Sequence, residues 1–114
     1  MRILLFGGSG LLGTELIRID PQIIRPTHAE CDIGNLCAVR EWVAAIQPDI
    51  IINAAAATDN RKIVKDPTAA VKANIIGAAN IALAASEVQA RLVYLSTDYV
   101  YAGEHGNYRE TDPL

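Results

Sequence analysis

Three glycines spaced three apart, Gly7, Gly10 and Gly13, stand in the stretch Gly7-Gly8-Ser9-Gly10-Leu11-Leu12-Gly13, directly after the apolar run Ile3-Leu4-Leu5-Phe6. The same stretch also fits G-x-G-x-x-G through Gly8, Gly10 and Gly13. Such spacing suits a pyrophosphate. One glycine makes the tight turn, another lets the backbone approach the phosphates, and the last lets the following helix pack against the strand. The start of that helix, at Leu11 and Leu12, would offer unpaired N–H groups and the positive end of its dipole. As a string the motif is weak; between a strand and a helix it has the context that dinucleotide binding requires. A tight turn with no ligand is the alternative.

The acid that normally binds the ribose stands about 20 residues beyond such a turn. Here Arg25-Pro26-Thr27 occupies that place. Arg25 can pair with a 2′-phosphate, which tilts the cofactor toward NADP over NAD, and it reads equally well as a solvated strand-end residue. Glu30 and Asp32 remain available to other parts of the nucleotide.

Other chemistries find less support. Cys31 and Cys37 lie six apart, matching neither C-x-x-C nor a zinc framework, so buried or half-buried reduced thiols are expected. His28 and His105 stand apart from any partner at ligand spacing, and no metal site is expected. With 10 Lys plus Arg against 13 Asp plus Glu, a net charge of −3 and no basic run, the chain lacks the positive face that a nucleic acid needs. Its most apolar run, at 50–57, contains Asn53 and is far short of the roughly 20 residues of a membrane span. Gly7 ends the first apolar stretch too early for a secretory signal, so cytoplasmic residence is the expectation.

The elements that must position these residues alternate along the chain. Residues 2–6 predict a buried parallel strand. Leu12, Leu16 and Ile19 fall at helical spacing over 11–19, closed by Pro21. Gln22-Ile23-Ile24-Arg25 predicts a short second strand ended by Pro26. Asn35 can cap a helix carrying Leu36, Val39, Val43 and Ile46, stopped at Gln47-Pro48. Residues 49–53 predict the third strand. A polar stretch, Thr58-Asp59-Asn60-Arg61-Lys62, then separates it from a long Ala-rich helix, with Asp66 as cap and Pro67 at its first position, running to about Val88. Residues 91–96 predict a fourth strand, and everything from Ala102 onward reads as loop. The order predicts an α/β, Rossmann-like doubly wound parallel sheet of four strands, 2-1-3-4, with the fourth at an uncovered edge.

Several of these strings together resemble the extended short-chain dehydrogenase/reductases, and within them the dTDP-4-dehydrorhamnose reductase family. The matching elements are the start through Gly7, the glycine turn, Cys31-Asp32-Ile33, Pro48-Asp49-Ile50-Ile51-Ile52-Asn53-Ala54-Ala55-Ala56, Asn74, and Ser96-Thr97-Asp98-Tyr99-Val100-Tyr101. The resemblance implies that Asp32 and Ile33 hold the adenine, by accepting from its amino group and by packing on its ring. It implies that Ala54, Ala55 and Ala56 let the backbone lie close to the cofactor, and that Asn74, on the sheet-facing side of the long helix, supports the site. Leu95 then reaches the nicotinamide end, Thr97 polarises the substrate carbonyl, and Asp98 binds substrate beside it. Asp32 as a loop cap, the alanines as helix packing and Asn74 as an exposed helix residue are the structural alternatives.

The family's reaction also needs Tyr-x-x-x-Lys, in which the lysine lowers the tyrosine pKa for proton donation. Four residues after Tyr94, Tyr99, Tyr101 and Tyr108 stand Asp98, Gly103, His105 and Asp112. Lys72 is the last lysine. Residues 1–114 are therefore expected to be the N-terminal part of a dinucleotide-binding domain, binding cofactor weakly or not at all alone and turning nothing over. The chain also departs from the family after Thr58, where V-D-x-A-E is replaced by Asn60-Arg61-Lys62-Ile63-Val64. The parent activity implied is reduction of a 4-keto sugar nucleotide by NADPH or NADH. The alternatives are a non-catalytic regulatory subunit like that of methionine adenosyltransferase, and another sugar-nucleotide epimerase or dehydratase.

The chain is 51% hydrophobic at 114 residues. So much apolar surface in so small a chain predicts self-association. Sedimentation velocity is expected to show species larger than one chain, and a clean monomer would contradict it.

Overall fold

Ile3–Phe6 (β1), Ile50–Asn53 (β2) and Arg91–Tyr94 (β3) form one parallel sheet in the order β1-β2-β3 in the computed structural model, which describes residues 1–114. Ile3 pairs with Ile50 and Ile50 with Arg91; at the other end Phe6, Asn53 and Tyr94 are level. All three strands therefore deliver the chain to the same sheet edge, where α/β proteins place their ligands.

The expected four strands are three. Gln22-Ile23-Ile24-Arg25 contributes only a bridge between Ile24 and Leu4, on the free side of β1. Two ladder bonds form there, Ile24 N–H to the Ile3 carbonyl at 3.0 Å and Leu5 N–H to the Ile24 carbonyl at 2.8 Å. Pro21 and Pro26 bracket the run, and a proline has no N–H to extend the ladder. The expected spatial order survives with a single bridging residue in place of the second strand. The last strand is also shorter than the expected 91–96.

Leu11–Ile19 (α1) and Leu36–Ile46 (α2) form where the apolar spacing places them. The Asn35 side chain caps α2 by accepting from the N–H groups of Cys37 and Ala38, and Gln47, at φ 49°, closes it in the left-handed region. One helix was not expected: Asn60–Lys65 (α3) occupies the polar stretch, its first turn capped by the Asp59 side chain on Arg61 and Lys62 N–H. An Asp ahead of six residues without Gly or Pro was the available signal. The long helix runs Pro67–Glu87 as 21 residues. It divides into Pro67–Val71 (α4), a π-helical stretch Lys72–Gly77, and Ala78–Glu87 (α5). Asp66 caps it by accepting from Thr68 N–H at 3.0 Å. By length and composition this helix is apolar enough to cross a membrane, yet Ala70, Gly77, Ile81, Ala84 and Ala85 are buried within the fold.

The main core lies between the sheet and the α2–α5 pair. Leu4, Phe6 and Ile51 meet Val39, Val43, Ile81, Ala84 and Ala85 there, with Cys31 and Ile33 closing one end. Cys31 is buried, whereas Cys37 is exposed in the first turn of α2. Arg40 and Glu87 tie α2 to α5 across the top through three guanidinium–carboxylate bonds. β3 is the open edge, with Val93 and Tyr94 about half exposed.

Ile81 has no exposed surface whereas Leu83 on the same helix is 44% exposed. Ile81→Ala is expected to cost about 2–5 kcal/mol in urea unfolding, against roughly 0.5 kcal/mol or less for Leu83→Ala.

Candidate functional site

Two turns meet at the level ends of the strands. Gly7 leaves β1 with φ +89°, and its backbone lies so close to the turn after β2 that a Cβ there would stand 2.5 Å from Ala54 C and Ala55 N. Only glycine fits both the angle and the gap. Gly13, in α1, packs against the other side: a Cβ on it would collide with the Gly7 carbonyl. Gly10 differs from both, because a Cβ on it would meet only the Gly7 carbonyl, at 3.4 Å. Gly10 is the N-cap of α1 and makes no side-chain cap. Hence the N–H groups of Leu11, Leu12 and Gly13 have no partner from the helix, and they open beside the turn, a cradle suited to an anion.

The glycine turn, Ile33 and residues 54–56 wall one recess of about 210 Å³, joined by His28, Cys31 and Pro26. Ile33 is buried and presents its aliphatic chain to this recess. Asp32 does not line it. One carboxylate oxygen accepts from Gly34 N–H at 2.9 Å and the other from the Lys72 ammonium at 2.6 Å. The Lys72 bond first, and the Gly34 bond after it, hold the Asp32 carboxyl below the usual carboxylate range. Burial, with Asp32 adding to it, pushes the Cys31 thiol up, so this cysteine stays protonated.

Residues 54–57 also line a second, larger cleft of about 720 Å³ on the other side, together with Leu12, Asn74, Tyr94, Leu95, Ser96 and Thr97. Asn74 fixes this wall. Its side-chain oxygen accepts from Ala57 N–H at 2.7 Å and its amide donates to the Ala57 carbonyl at 3.0 Å. It holds the backbone of the turn rather than reaching into the sheet. Asn53, which ends β2 and is 2% exposed, does the same one turn earlier by accepting from Ala55 N–H. At the far end, Thr97 caps the short 3-10 turn Asp98–Val100, its hydroxyl accepting from Tyr99 N–H and donating to the Asp98 carboxylate at 3.3 Å. That last bond is long, so the proton is available to a better acceptor.

Arg25 lies beside the glycine turn. A Cβ on Gly8 would stand 3.1 Å from Arg25 Cβ, so the arginine stem covers that glycine. The two residues share a recess of about 370 Å³ with Ser9 and Thr27. Its guanidinium makes one contact, 3.5 Å to the Ile23 carbonyl, too long to hold it. Glu30 is occupied by the N–H and hydroxyl of Thr27, and these bonds lower its pKa.

The structure thus brings Gly7, Gly10, Leu12, Ile33, Ala54, Ala55, Ala56, Asn74, Leu95 and Thr97 around two adjoining cavities. Gly13 supports them from behind, Arg25 flanks them, and Leu11 and Asp98 stand exposed at the margins. Sequence reasoning missed Lys72 and Asn80, whose amide donates to the Ile33 carbonyl at 2.8 Å. Both lie on the long helix some forty residues from their partners, with no local signal.

Asp32 titrates lower folded than unfolded. Stability from its pairing is complete above the ordinary carboxylate value of about 3.9 and is lost as pH falls through the lowered folded value. Both partners are part-exposed, so Lys72→Met is expected to cost up to about 1 kcal/mol at neutral pH in urea unfolding. That difference is expected to vanish in acid. A cost independent of pH would contradict the assignment.

The chain matches the family model described as "RmlD substrate binding domain" over residues 1–114. It is 37% identical over 118 residues to the spore coat polysaccharide biosynthesis protein SpsK of Bacillus subtilis, covering 99% of this chain and 42% of that protein. It is 42% identical over 110 residues to a dTDP-4-dehydrorhamnose reductase of Escherichia coli, covering 90% and 36%. Among solved structures, the dTDP-4-dehydrorhamnose reductase of Bacillus anthracis in complex with NADP superposes with a TM-score of 0.85 at 38% identity, over 91% of this chain and 39% of that one. A hypothetical dTDP-4-dehydrorhamnose reductase from Sulfolobus tokodaii gives 0.90 at 34%, over 99% and 45%. The chain spans about two fifths of the length of the curated relatives it matches. With a parallel α/β sheet, a glycine turn at the strand ends and a family match from first residue to last, the chain belongs to the RmlD substrate binding domain family.

Proposed function

We propose that this chain supplies the dinucleotide-binding part of an NADPH-dependent reductase of a 4-keto sugar nucleotide, taking dTDP-4-dehydro-L-rhamnose to dTDP-L-rhamnose in the cytoplasm. One observation carries the reading. Residues 54–56 form a shared wall between the recess at Ile33 and the cleft that ends at Thr97, with the glycine turn beside the first and Leu12 in the second. A ligand with an adenosine at one end, a diphosphate in the middle and a second ring at the other fits that succession.

The residues present suit the dinucleotide. The free N–H groups at the start of α1 take the diphosphate without a side chain between them and it, since Gly10 contributes none. Arg25, held over Gly8 and free at its head, takes a 2′-phosphate, and the strand end carries no acid to repel one. This favours NADPH over NADH. When bound, the nicotinamide supplies a hydride. Tyr94, Leu95 and Ser96 then wall its end of the cleft, and the Thr97 hydroxyl turns its proton from Asp98 to the substrate carbonyl, where it stabilises the growing negative charge. Asp98 accepts from a sugar hydroxyl beside it. The proton donor of a Tyr-x-x-x-Lys pair is not among these 114 residues, so the chain's own part is binding and orientation.

A titration of the ¹⁵N-labelled chain with NADP⁺ and NAD⁺, followed by NMR, tests this. Weak binding is expected, with shifts concentrated at Gly7, Gly10, Leu12, Ile33 and residues 54–57, stronger for NADP⁺. Arg25→Ala is expected to erase the difference between the two. Absence of shifts at the glycine turn in millimolar nucleotide would overturn the proposal, as would turnover of keto sugar by the 114-residue chain alone.

A further inference from the structure

The loop carrying Asp32 and Ile33 is held from one side by a single helix, at three points. The Lys72 ammonium bonds Asp32 at 2.6 Å, the Gly77 backbone lies against Ile33, and the Asn80 amide bonds the Ile33 carbonyl at 2.8 Å. Lys72 and Gly77 are five residues apart. In a regular α-helix that spacing points them to different sides, whereas the i to i+5 repeat of a π-helix stacks them. The stretch that is π-helical, Lys72–Gly77, begins and ends on these two residues. The irregular turn is what lets one helix face both grip the loop and reach its carboxylate.

The lysine is held along its length. Its stem lies across Gly34, where a Cβ would stand 2.6 Å from Lys72 Cγ and collide with Cε. Residue 34 must be glycine for the lysine to lie flat there, and Gly34 N–H donates to the other oxygen of the same carboxylate. Asp32 is therefore fixed at both oxygens, one by its own loop and one by Lys72, while its side chain remains 36% exposed. Each carboxylate oxygen has a second lone pair, so the anchored group, one residue from Ile33 though outside the lining of the recess itself, still accepts from a ligand whose edge extends past that wall. An unanchored Asp32 would be free to rotate about its two side-chain torsions, and aligning it would cost entropy at the moment of binding.

We propose that Lys72 is a positioning residue for the adenine end of the cofactor site: its ammonium holds the Asp32 carboxylate in the orientation from which it accepts the adenine amino group. This rests on the dinucleotide reading above. Adenine has an amino group at that position, a donor; hypoxanthine has a carbonyl, an acceptor that a carboxylate repels. Lys72 therefore sets a preference between bases without touching either.

Binding of ADP and of inosine diphosphate to the chain, followed by NMR titration, reads this directly. The wild type is expected to favour ADP by about tenfold, the scale of one hydrogen bond to a charged acceptor. Lys72→Met keeps the stem and removes the charge; it is expected to bring the preference close to one by weakening ADP several-fold while leaving inosine diphosphate within about twofold. Asp32→Asn is expected to lose the preference as well, and adding Lys72→Met to it is expected to change nothing further, because the lysine acts through the carboxylate. A Lys72→Met chain that keeps the tenfold preference, or that weakens both nucleotides alike, overturns the proposal. A wild type whose glycine turn responds to neither nucleotide overturns the dinucleotide reading itself, and a wild type that binds both equally removes Asp32 from the adenine site.

Discussion

Gly7 lies with its backbone against Ala54 and Ala55 on one side and against Gly13 on the other, at φ +89°. Every other part of the site is measured from that contact. It brings the turn after β1 within van der Waals reach of the turn after β2, and it lets α1 start close enough to the sheet for its N-terminus to point into the gap. A methyl group at residue 7 or 13 would run into the facing backbone and force the segments apart. The level register, with Phe6, Asn53 and Tyr94 abreast, makes the contact possible, since a slip of one residue would stagger the turns.

The helix Pro67–Glu87 is the second organiser, and it works through polar atoms more than through apolar packing. Its second half contributes Ile81, Ala84 and Ala85 to the core. Up to the end of the π-helical stretch it buries only Ala70 and Gly77, yet from that stretch and just beyond it come Lys72, Asn74 and Asn80, each bonded to a loop at the strand ends. Asn74 satisfies both the donor and the acceptor of Ala57, a backbone unit that no ladder serves. Small side chains at 54–57 allow close approach of a ligand but offer nothing to hold the turn in shape; Asn53 and Asn74 do that from below and from the side. The division is economical in chemistry: alanines face the cavities, and amides behind them fix the backbone.

Charge is arranged with similar separation. The anchored Asp32 and Lys72 neutralise each other at one margin, Glu30 is absorbed by Thr27, and Arg25 is left with an unengaged head beside the glycine turn. In a chain of net charge −3 the region around the turn is thus cleared of free carboxylates. An anionic ligand meets N–H groups and one guanidinium there.

Much of this was legible along the chain. The glycine spacing, Asn35 and Asp66 as caps, Pro67 at a helix start and the apolar periods of α1 and α2 are local signals, and local backbone sterics and hydrogen bonding make them what they are. They determined the order of elements, the parallel sheet and the place of the turn. The truncation of the second strand to Ile24 was half legible, in the two prolines beside it. Tertiary structure alone decided which partners meet: that Asp32 is met by Lys72 from forty residues away, that Asn74 serves Ala57 from seventeen, and that a π-helical turn brings Lys72 and Gly77 to one side. Nothing in KANIIG distinguishes a π-helix from an α-helix, because the widened turn is stabilised by contacts with Ile33 and Ala57 that exist only once the sheet has brought those loops to its edge.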